Sequence, residues 1–227
     1  MKRQLKPIAT VLAVILSVSA FAQQDDNFQD EKIKVDDGIE TLFKTEKKSI
    51  RGYGAITNKF TTIRGEYANL VGAYGGVYID HKFLIGIGAA AMTSNLSVPL
   101  EYSTNPLRDL SYEFGQVGLV TEYVFGSNKA VHVAFNLFTG AGFTLQHERY
   151  DWHDHDDDFD FDDREATDEN WFFLVEPGIQ MEFNVFKWMR FAPGISYRAS
   201  FESEGQGMRD ADISNISYNA TLKFGRF

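Results

Sequence analysis

Cysteine is absent from the 227 residues, and Lys plus Arg number only 22 against 32 Asp plus Glu. Without Cys there can be no disulfides, thiolate nucleophiles or thiolate metal ligands, so any chemistry must use His, carboxylates or hydroxyls. The shortage of basic residues gives a net charge of −10 and a pI near 4.9. That balance argues against nucleic acid as a partner, because phosphate binding needs a basic stripe that displaces counterions. Long apolar runs are missing beyond the N-terminus, so no internal segment reads as a membrane-spanning helix. The length suits one domain with a tail.

Met1 to Lys6 carries Lys2, Arg3 and Lys6 with no acid, Pro7 to Ala20 is largely apolar, and Ala20-Phe21-Ala22 precedes Gln23. Residues 1–22 therefore read as a secretory signal peptide, with an apolar run shorter than the ~20 residues of a bilayer-spanning helix. Cleavage after Ala22 takes those three bases and no acids, which deepens the charge from −10 to −13. Residues 23–48 are dense in charge, with a weak helical pattern through Ile39, Leu42 and Phe43. They read as a flexible periplasmic leader holding a short helix.

From Ser49 to Phe227 the period changes to two, and eight strands can be drawn. In the fifth, Val131, Val133, Phe135, Leu137, Ala141, Phe143 and Leu145 share one face, against His132, Asn136, Gly140, Gly142, Thr144 and Gln146. The sixth sets Trp171, Phe173, Val175, Ile179, Met181, Phe183 and Val185 against Glu176, Gly178, Gln180, Glu182 and Asn184. The seventh and eighth repeat the division, with Arg190, Ser196, Arg198, Ser200, Asn219, Thr221 and Lys223 on the polar face. The first strand puts Arg51, Tyr53, Thr57 and Lys59 there. Strands near Leu70 to Ile79 and Phe83 to Met92 are Gly-rich and leave their phase open. In the fourth, Tyr112 and Phe114 fall out of step with Gln116, Gly118 and Glu122, which suggests a bulge near Gly115.

A soluble barrel turns its apolar face inward, whereas a membrane barrel turns it to lipid. Here Gly118, Gly140, Gly142, Gly178 and Gly194 share the face of the charges, and a narrow interior needs small residues while a lipid face accepts any number of Phe. After a short link between strands one and two, tight links (Asp80 to Lys82, Gly126 to Lys129, Phe186 to Trp188) alternate with longer ones that end near Asp109, Asp168 and Asp212. Such alternation marks short periplasmic turns and longer extracellular loops. Trp171, Phe186, Trp188, Phe125 and Tyr150 stand at strand ends, where aromatic girdles belong. The expectation is an all-β, eight-stranded, antiparallel up-and-down transmembrane barrel over 49–227, in the outer membrane. A secreted, lipocalin-like ligand-binding barrel is the alternative.

The region from Ser49 to Phe227 resembles the small eight-stranded outer-membrane barrels of gram-negative bacteria, the OmpX and OmpA-barrel class. Lys59 to Ala89, KFTTIRGEYANLVGAYGGVYIDHKFLIGIGA, is similar to the first hairpins of porin-family barrels. Phe227 resembles the terminal aromatic that such proteins present to the barrel-assembly machinery. It departs in phase, however: the outward residues Tyr218, Leu222 and Phe224 are even-numbered and Phe227 is odd. Either Gly225 carries a bulge or recognition differs. The resemblance implies outer-membrane lipid, lipopolysaccharide and the assembly machinery as partners; an extracellular partner is not identified.

The expected lumen holds Arg51, Lys59, Arg190, Arg198 and Lys223 against Glu122, Glu176 and Glu182. Paired and hydrogen-bonded, these charges can plug a narrow barrel; a narrow channel for small solutes or ions, gated by exchange of partners, is the other reading. Asp151 to Asp163 packs eight Asp and two His into thirteen residues. Asp154, Asp156, Asp158, Asp160 and Asp162 could together hold Ca²⁺, although EF-hand spacing and its turn glycine are missing; the competing reading is a solvated, self-repelling surface loop. No cofactor is otherwise expected. A lipid A deacylase would need His-x-Ser at the outer rim, yet Arg149 lies two residues past His147 and Ala134 two past His132. No catalytic residue is assigned, and His81 reads as a solvated turn residue. Titration of Ca²⁺ against Trp152 emission tests the acidic segment: a cation site saturates in the ~0.1 to 1 mM range of weak extracellular sites and is lost when 154–163 is deleted, whereas a flat titration identifies a solvated loop.

Overall fold

The computed structural model describes residues 49–148 and 167–227. All of them belong to one unit. The expected signal peptide, leader, Tyr150 and acidic segment lie outside the described residues.

Eight long antiparallel strands make a closed ring: β1 (Ile50–Ile63), β2 (Glu66–Ile79), β3 (Phe83–Met92), β5 (Leu110–Phe125), β6 (Val131–Glu148), β7 (Thr167–Phe186), β8 (Met189–Phe201) and β11 (Asn215–Gly225). Each pairs with its chain neighbour, β3 with β5 across the intervening loop, and β1 with β11 closes the barrel. Short pieces decorate one end: β4 (Leu96–Ser97), a 3-10 turn at Leu100–Tyr102, β9 (Glu204–Gly205), β10 (Met208–Arg209) and the single-turn helix α1 (Asp210–Ile213).

Three of the seven links are tight turns at the end where β1 starts and β11 stops, called here the turn end; the opposite end is the loop end. Asp80 and His81 have φ of 51° and 56°, the left-handed central pair of a turn within the three-residue link 80–82, and Lys82 N–H donates to the Ile79 carbonyl at 3.1 Å. At the loop end only the β1–β2 link is tight, with Arg64 and Gly65 at φ 56° and 77°. His81 is half-buried rather than freely solvated, its ring edge-on to Tyr78 at 6.4 Å and its carbonyl accepting from the Tyr78 hydroxyl at 2.8 Å.

The alternation has the expected sign. Ile56, Val117, Leu119, Phe135, Phe173, Tyr218 and Leu222 face outward and are exposed, while Lys59, Glu122, Glu176, Glu182, Arg190, Arg198 and Lys223 are buried. A water-soluble barrel would reverse this arrangement, so the secreted ligand-binding alternative is overturned. Two aromatic belts flank the outward face. At the turn end Phe186 and Trp188 stack at 5.5 Å, with Phe224 beyond at 6.2 Å, and Tyr123, Phe125 and Phe135 form a second group. At the loop end Phe143 meets Trp171 at 5.2 Å and Phe173 meets Phe201 at 6.3 Å. An outward apolar band between aromatic girdles, an even strand number and turns shorter than loops define a barrel of the outer-membrane type. The protein resides in the outer membrane.

The structure settles the open phases and corrects one expectation. In β2 and β3 the inward set is Leu70, Tyr74, Tyr78, Leu84, Gly88 and Ala90. No bulge stands at Gly115: β5 pairs with β6 without interruption from Leu110↔Glu148 to Phe125↔Val133. Tyr112 and Phe114 are simply inward, in step with Gln116 and Glu122, and fully buried. They are the signature of an apolar core inside the loop-end half of the lumen, formed with Ile63, Leu70, Leu96, Phe172, Leu174, Met208 and Ile213. Gly142 makes room for it, since a Cβ there would lie 2.8 Å from Leu174 Cδ1.

Leu174→Ala therefore hollows a packed core and is expected to cost about 2–5 kcal/mol, whereas Leu222→Ala on the lipid face costs less. Denaturant unfolding of refolded protein in micelles, followed by Trp emission, checks the order of the two.

Candidate functional site: the barrel interior

Inward side chains sort into three layers along the axis. Nearest the turn end, Lys223 of β11 bridges two carboxylates, its ammonium 2.6 Å from Glu122 Oε2 and 2.5 Å from Glu182 Oε1. Glu182 also accepts from Arg190 Nη1 at 3.1 Å and lies 2.8 Å from His132 Nε2. The Tyr74 hydroxyl donates to Glu122 Oε1 at 3.0 Å. Removing ions from water is costly, and the cost is recovered only where the remaining lone pairs and protons find partners. Glu122 and Glu182 meet that condition on both oxygens.

The middle layer centres on Glu176 of β7. Lys59 Nζ lies 2.6 Å from its Oε2, which also accepts from Gln116 Nε2 at 3.3 Å, and the Ser196 hydroxyl donates to its Oε1 at 2.6 Å. Asn219 Nδ2 in turn donates to Ser196 Oγ at 2.9 Å. The lysine comes from β1 and the carboxylate from β7, three strands away around the ring of eight, so this pair reaches across the lumen.

At the loop end the apolar core fills the bore, and Arg198 is set into it. Its guanidinium lies 4.8 Å from the centre of the Phe114 ring and donates to the carbonyls of Ile213 at 3.0 Å and Thr62 at 3.4 Å. The extramembrane pieces close over this core. Arg64 is held between the rings of Tyr102 and Tyr112, at 4.9 and 5.5 Å, and donates to the Gly207 carbonyl. The Tyr112 hydroxyl donates to the Gln206 carbonyl at 2.6 Å. Gly207 has φ 71° and a Cβ there would sit 2.7 Å from the Tyr112 oxygen, so the β9–β10 turn requires glycine.

Of the eight charges drawn from the sequence, Lys59 and Glu176 form one group and Glu122, Glu182, Arg190 and Lys223 another. Arg198 stands apart among carbonyls and an aromatic ring. Arg51 is half-buried at the turn-end mouth and donates to the Phe227 carbonyl at 3.2 Å. Phe227 continues the inward phase of β11 after Lys223 and Gly225, which accounts for its mismatch with Tyr218, Leu222 and Phe224. Its ring lies 3.9 Å from the Arg190 guanidinium and 6.2 Å from the Tyr78 ring. Sequence reasoning missed His132 as a member of the turn-end group, although its place on the polar face of β6 was legible. It also missed the apolar core, whose signal was the large apolar residues Tyr112, Phe114, Phe172 and Leu174 in the polar phase. Asp154, Asp156, Asp158, Asp160 and Asp162 lie outside the described residues.

No family model matches the sequence, and no curated protein matches it. Among solved structures it is similar to Neisserial surface protein A, at 8% identity and a TM-score of 0.48 over 80% of this chain and 100% of that one. A major outer membrane protein from Thermus thermophilus matches at 9% identity and 0.48, over 77% of this chain and 98% of that one. The N-terminal barrel domain of Pseudomonas aeruginosa OprF matches at 9% identity and 0.42, over 78% and 99% respectively. The likeness is one of general shape, and the roles assigned below rest on this chain's own side chains.

Lys223→Met strands two buried carboxylates and is expected to destabilise the refolded barrel by about 3–5 kcal/mol. Adding Glu122→Gln should restore part of the loss, since Glu182 keeps Arg190 and His132. A double-mutant cycle in denaturant measures the coupling; additive losses would show that Lys223 and Glu122 act independently.

Proposed function

We propose that this barrel is a plugged outer-membrane protein that acts through its loop end, in surface binding or envelope integrity, and does not conduct solutes. The observation that carries the reading is the apolar core in the loop-end half of the lumen: Phe114, Leu174, Leu96, Met208 and Ile213 are completely buried there. A solute path needs a continuous polar wall, and a bore packed with aromatic and aliphatic side chains has none. Beneath it, Lys59–Glu176 and the Lys223 bridge pull opposite walls together. The ends differ in the same sense. The turn end offers three tight turns, whereas the loop end carries a folded cap built from β4, the 3-10 turn, β9, β10 and α1, joined to the barrel through Arg64, Tyr112 and Arg198.

The partners that fit this reading are the outer-leaflet lipids around the loop-end girdle, including lipopolysaccharide, and a further partner above the cap. The acidic segment 151–163, which falls between β6 and β7 in the sequence, carries negative charge suited to divalent cations that bridge to lipid phosphates. Assembly would pass through the barrel-assembly machinery, with Phe227 as the aromatic presented to it before folding is complete.

Reconstitution of refolded protein into planar bilayers tests the plug. The expected record has no discrete conductance steps, in the wild type and in Arg190→Ala or Glu176→Ala variants alike. Steps in the wild type that vanish when Lys59–Glu176 is cross-linked would replace this reading with the narrow channel.

A further inference from the structure

We propose that the middle of the barrel is a water site: a chamber holding a small hydrogen-bonded cluster, which exchanges with solvent only at the turn end, past Phe227. The chamber lies between the Lys59–Glu176 pair and the Lys223 bridge, with Thr57, Tyr74, Gln116, Asn136, Gln180 and Asn219 on its wall. Its free volume is about 40 Å³. A single water needs roughly 10–15 Å³ of such space, so the chamber suits about three waters and no organic ligand.

The chemistry of the wall points to water as well. Gln116 Oε1, Asn136 Oδ1, Gln180 Oε1 and Asn219 Oδ1 are all buried acceptors with no hydrogen-bond partner in the protein. Gln116, Gln180 and Asn219 are 3%, 4% and 7% exposed. For two of the four the amide orientation is fixed from the other side, because Gln116 Nε2 donates to Glu176 and Asn219 Nδ2 to Ser196. A buried acceptor without a donor is costly, and four around one small chamber, from β5, β6, β7 and β11, call for a shared donor. Water supplies two protons per molecule. A metal cation would also satisfy the oxygens, but the carboxylates of the wall are already matched, Glu176 by Lys59 and Glu122 by Lys223. Among the described buried charges Lys59, Arg190, Arg198 and Lys223 outnumber Glu122, Glu176 and Glu182, so a further cation would enter an interior that already carries excess positive charge.

The route follows from what stands at each end. Toward the loops, water would have to cross the apolar core and the cap. Toward the turns, among the described residues, water would pass the polar groups of the Lys223–Glu122–Glu182 bridge and then the Phe227 ring, which lies against Arg190 and Tyr78, with Arg51 holding the Phe227 carbonyl. Displacing that ring uncovers the polar layer beneath it. The inference builds on the sealed loop end, but its readout is hydration rather than conductance, so the two can fail separately.

The test is NMR of the full chain refolded in micelles, with water-selective transfer read at the side-chain amide protons of Gln116, Gln180 and Asn219. Long-lived water contacts at these protons are expected, together with at least tenfold faster water exchange in Phe227→Ala and no change in Met208→Ala. Phe227→Leu serves if the alanine variant does not refold. Absence of water contacts in the wild type would overturn the site. An exchange rate raised by Met208→Ala, or unmoved by the Phe227 variant, would overturn the route.

Discussion

A strand that crosses lipid has no water to take its backbone hydrogen bonds, so every amide and carbonyl must find its partner in a neighbouring strand, and the sheet can have no free edge. The pairing of β1 with β11, from Tyr53↔Gly225 to Phe60↔Tyr218, meets that demand. Closure at eight strands then fixes the rest. It makes a bore just wide enough for side chains to fill, and the alternation of side chains along each strand sends every second residue into it. What lines the bore is therefore an obligatory core, although it is drawn from the polar half of the sequence.

This core is solved twice, by different physics. In the turn-end half, charges are buried but mutually satisfied: Lys223 spans two carboxylates, and Glu182 has three partners in Lys223, Arg190 and His132. In the loop-end half the bore is packed with apolar side chains much as the interior of a soluble protein is. Buried ion pairs often contribute little net stability but are costly to break. They therefore set which walls face each other, while the apolar core supplies the burial that favours folding. Arg198 is set into this apolar core, its guanidinium 4.8 Å from the centre of the Phe114 ring and its protons on the carbonyls of Ile213 in α1 and Thr62 in β1, and so ties the cap to the barrel wall.

Much of this architecture was legible in the sequence because a membrane barrel writes its two environments into alternate residues. Strand number, link lengths and the inward placement of Lys59, Glu122, Glu176, Glu182, Arg190, Arg198 and Lys223 all follow from parity. Parity could not reveal which inward charges meet, since pairing across the bore depends on strand tilt and joins residues more than a hundred positions apart, such as Lys59 with Glu176. It also misled at Tyr112 and Phe114. Apolar residues on the polar face looked like a slip of register, whereas they mark the depth at which the lumen stops being polar. Phe227 makes the same point at the other end, out of step with the lipid face because it belongs to the bore.

The distribution of charge over the strands bears on how the ring is completed. The buried acids sit on β5 and β7, in the middle of the chain's passage around the barrel, and the buried bases on β1, β8 and β11, the strands that meet at or beside the seam. A partly built sheet that lacks its last strand holds Glu122 without an ammonium and Glu182 with only part of its set. The final strand brings both the missing backbone edge and Lys223, the cation that compensates them. Docking of that strand is thus rewarded electrostatically as well as by its hydrogen bonds, and only in the register that delivers Lys223 to both carboxylates. A sheet closed one pair of residues out of step would keep its hydrogen bonds yet leave Glu122 and Glu182 facing each other without Lys223 between them, so the interior charges act as a proofreading step on the seam.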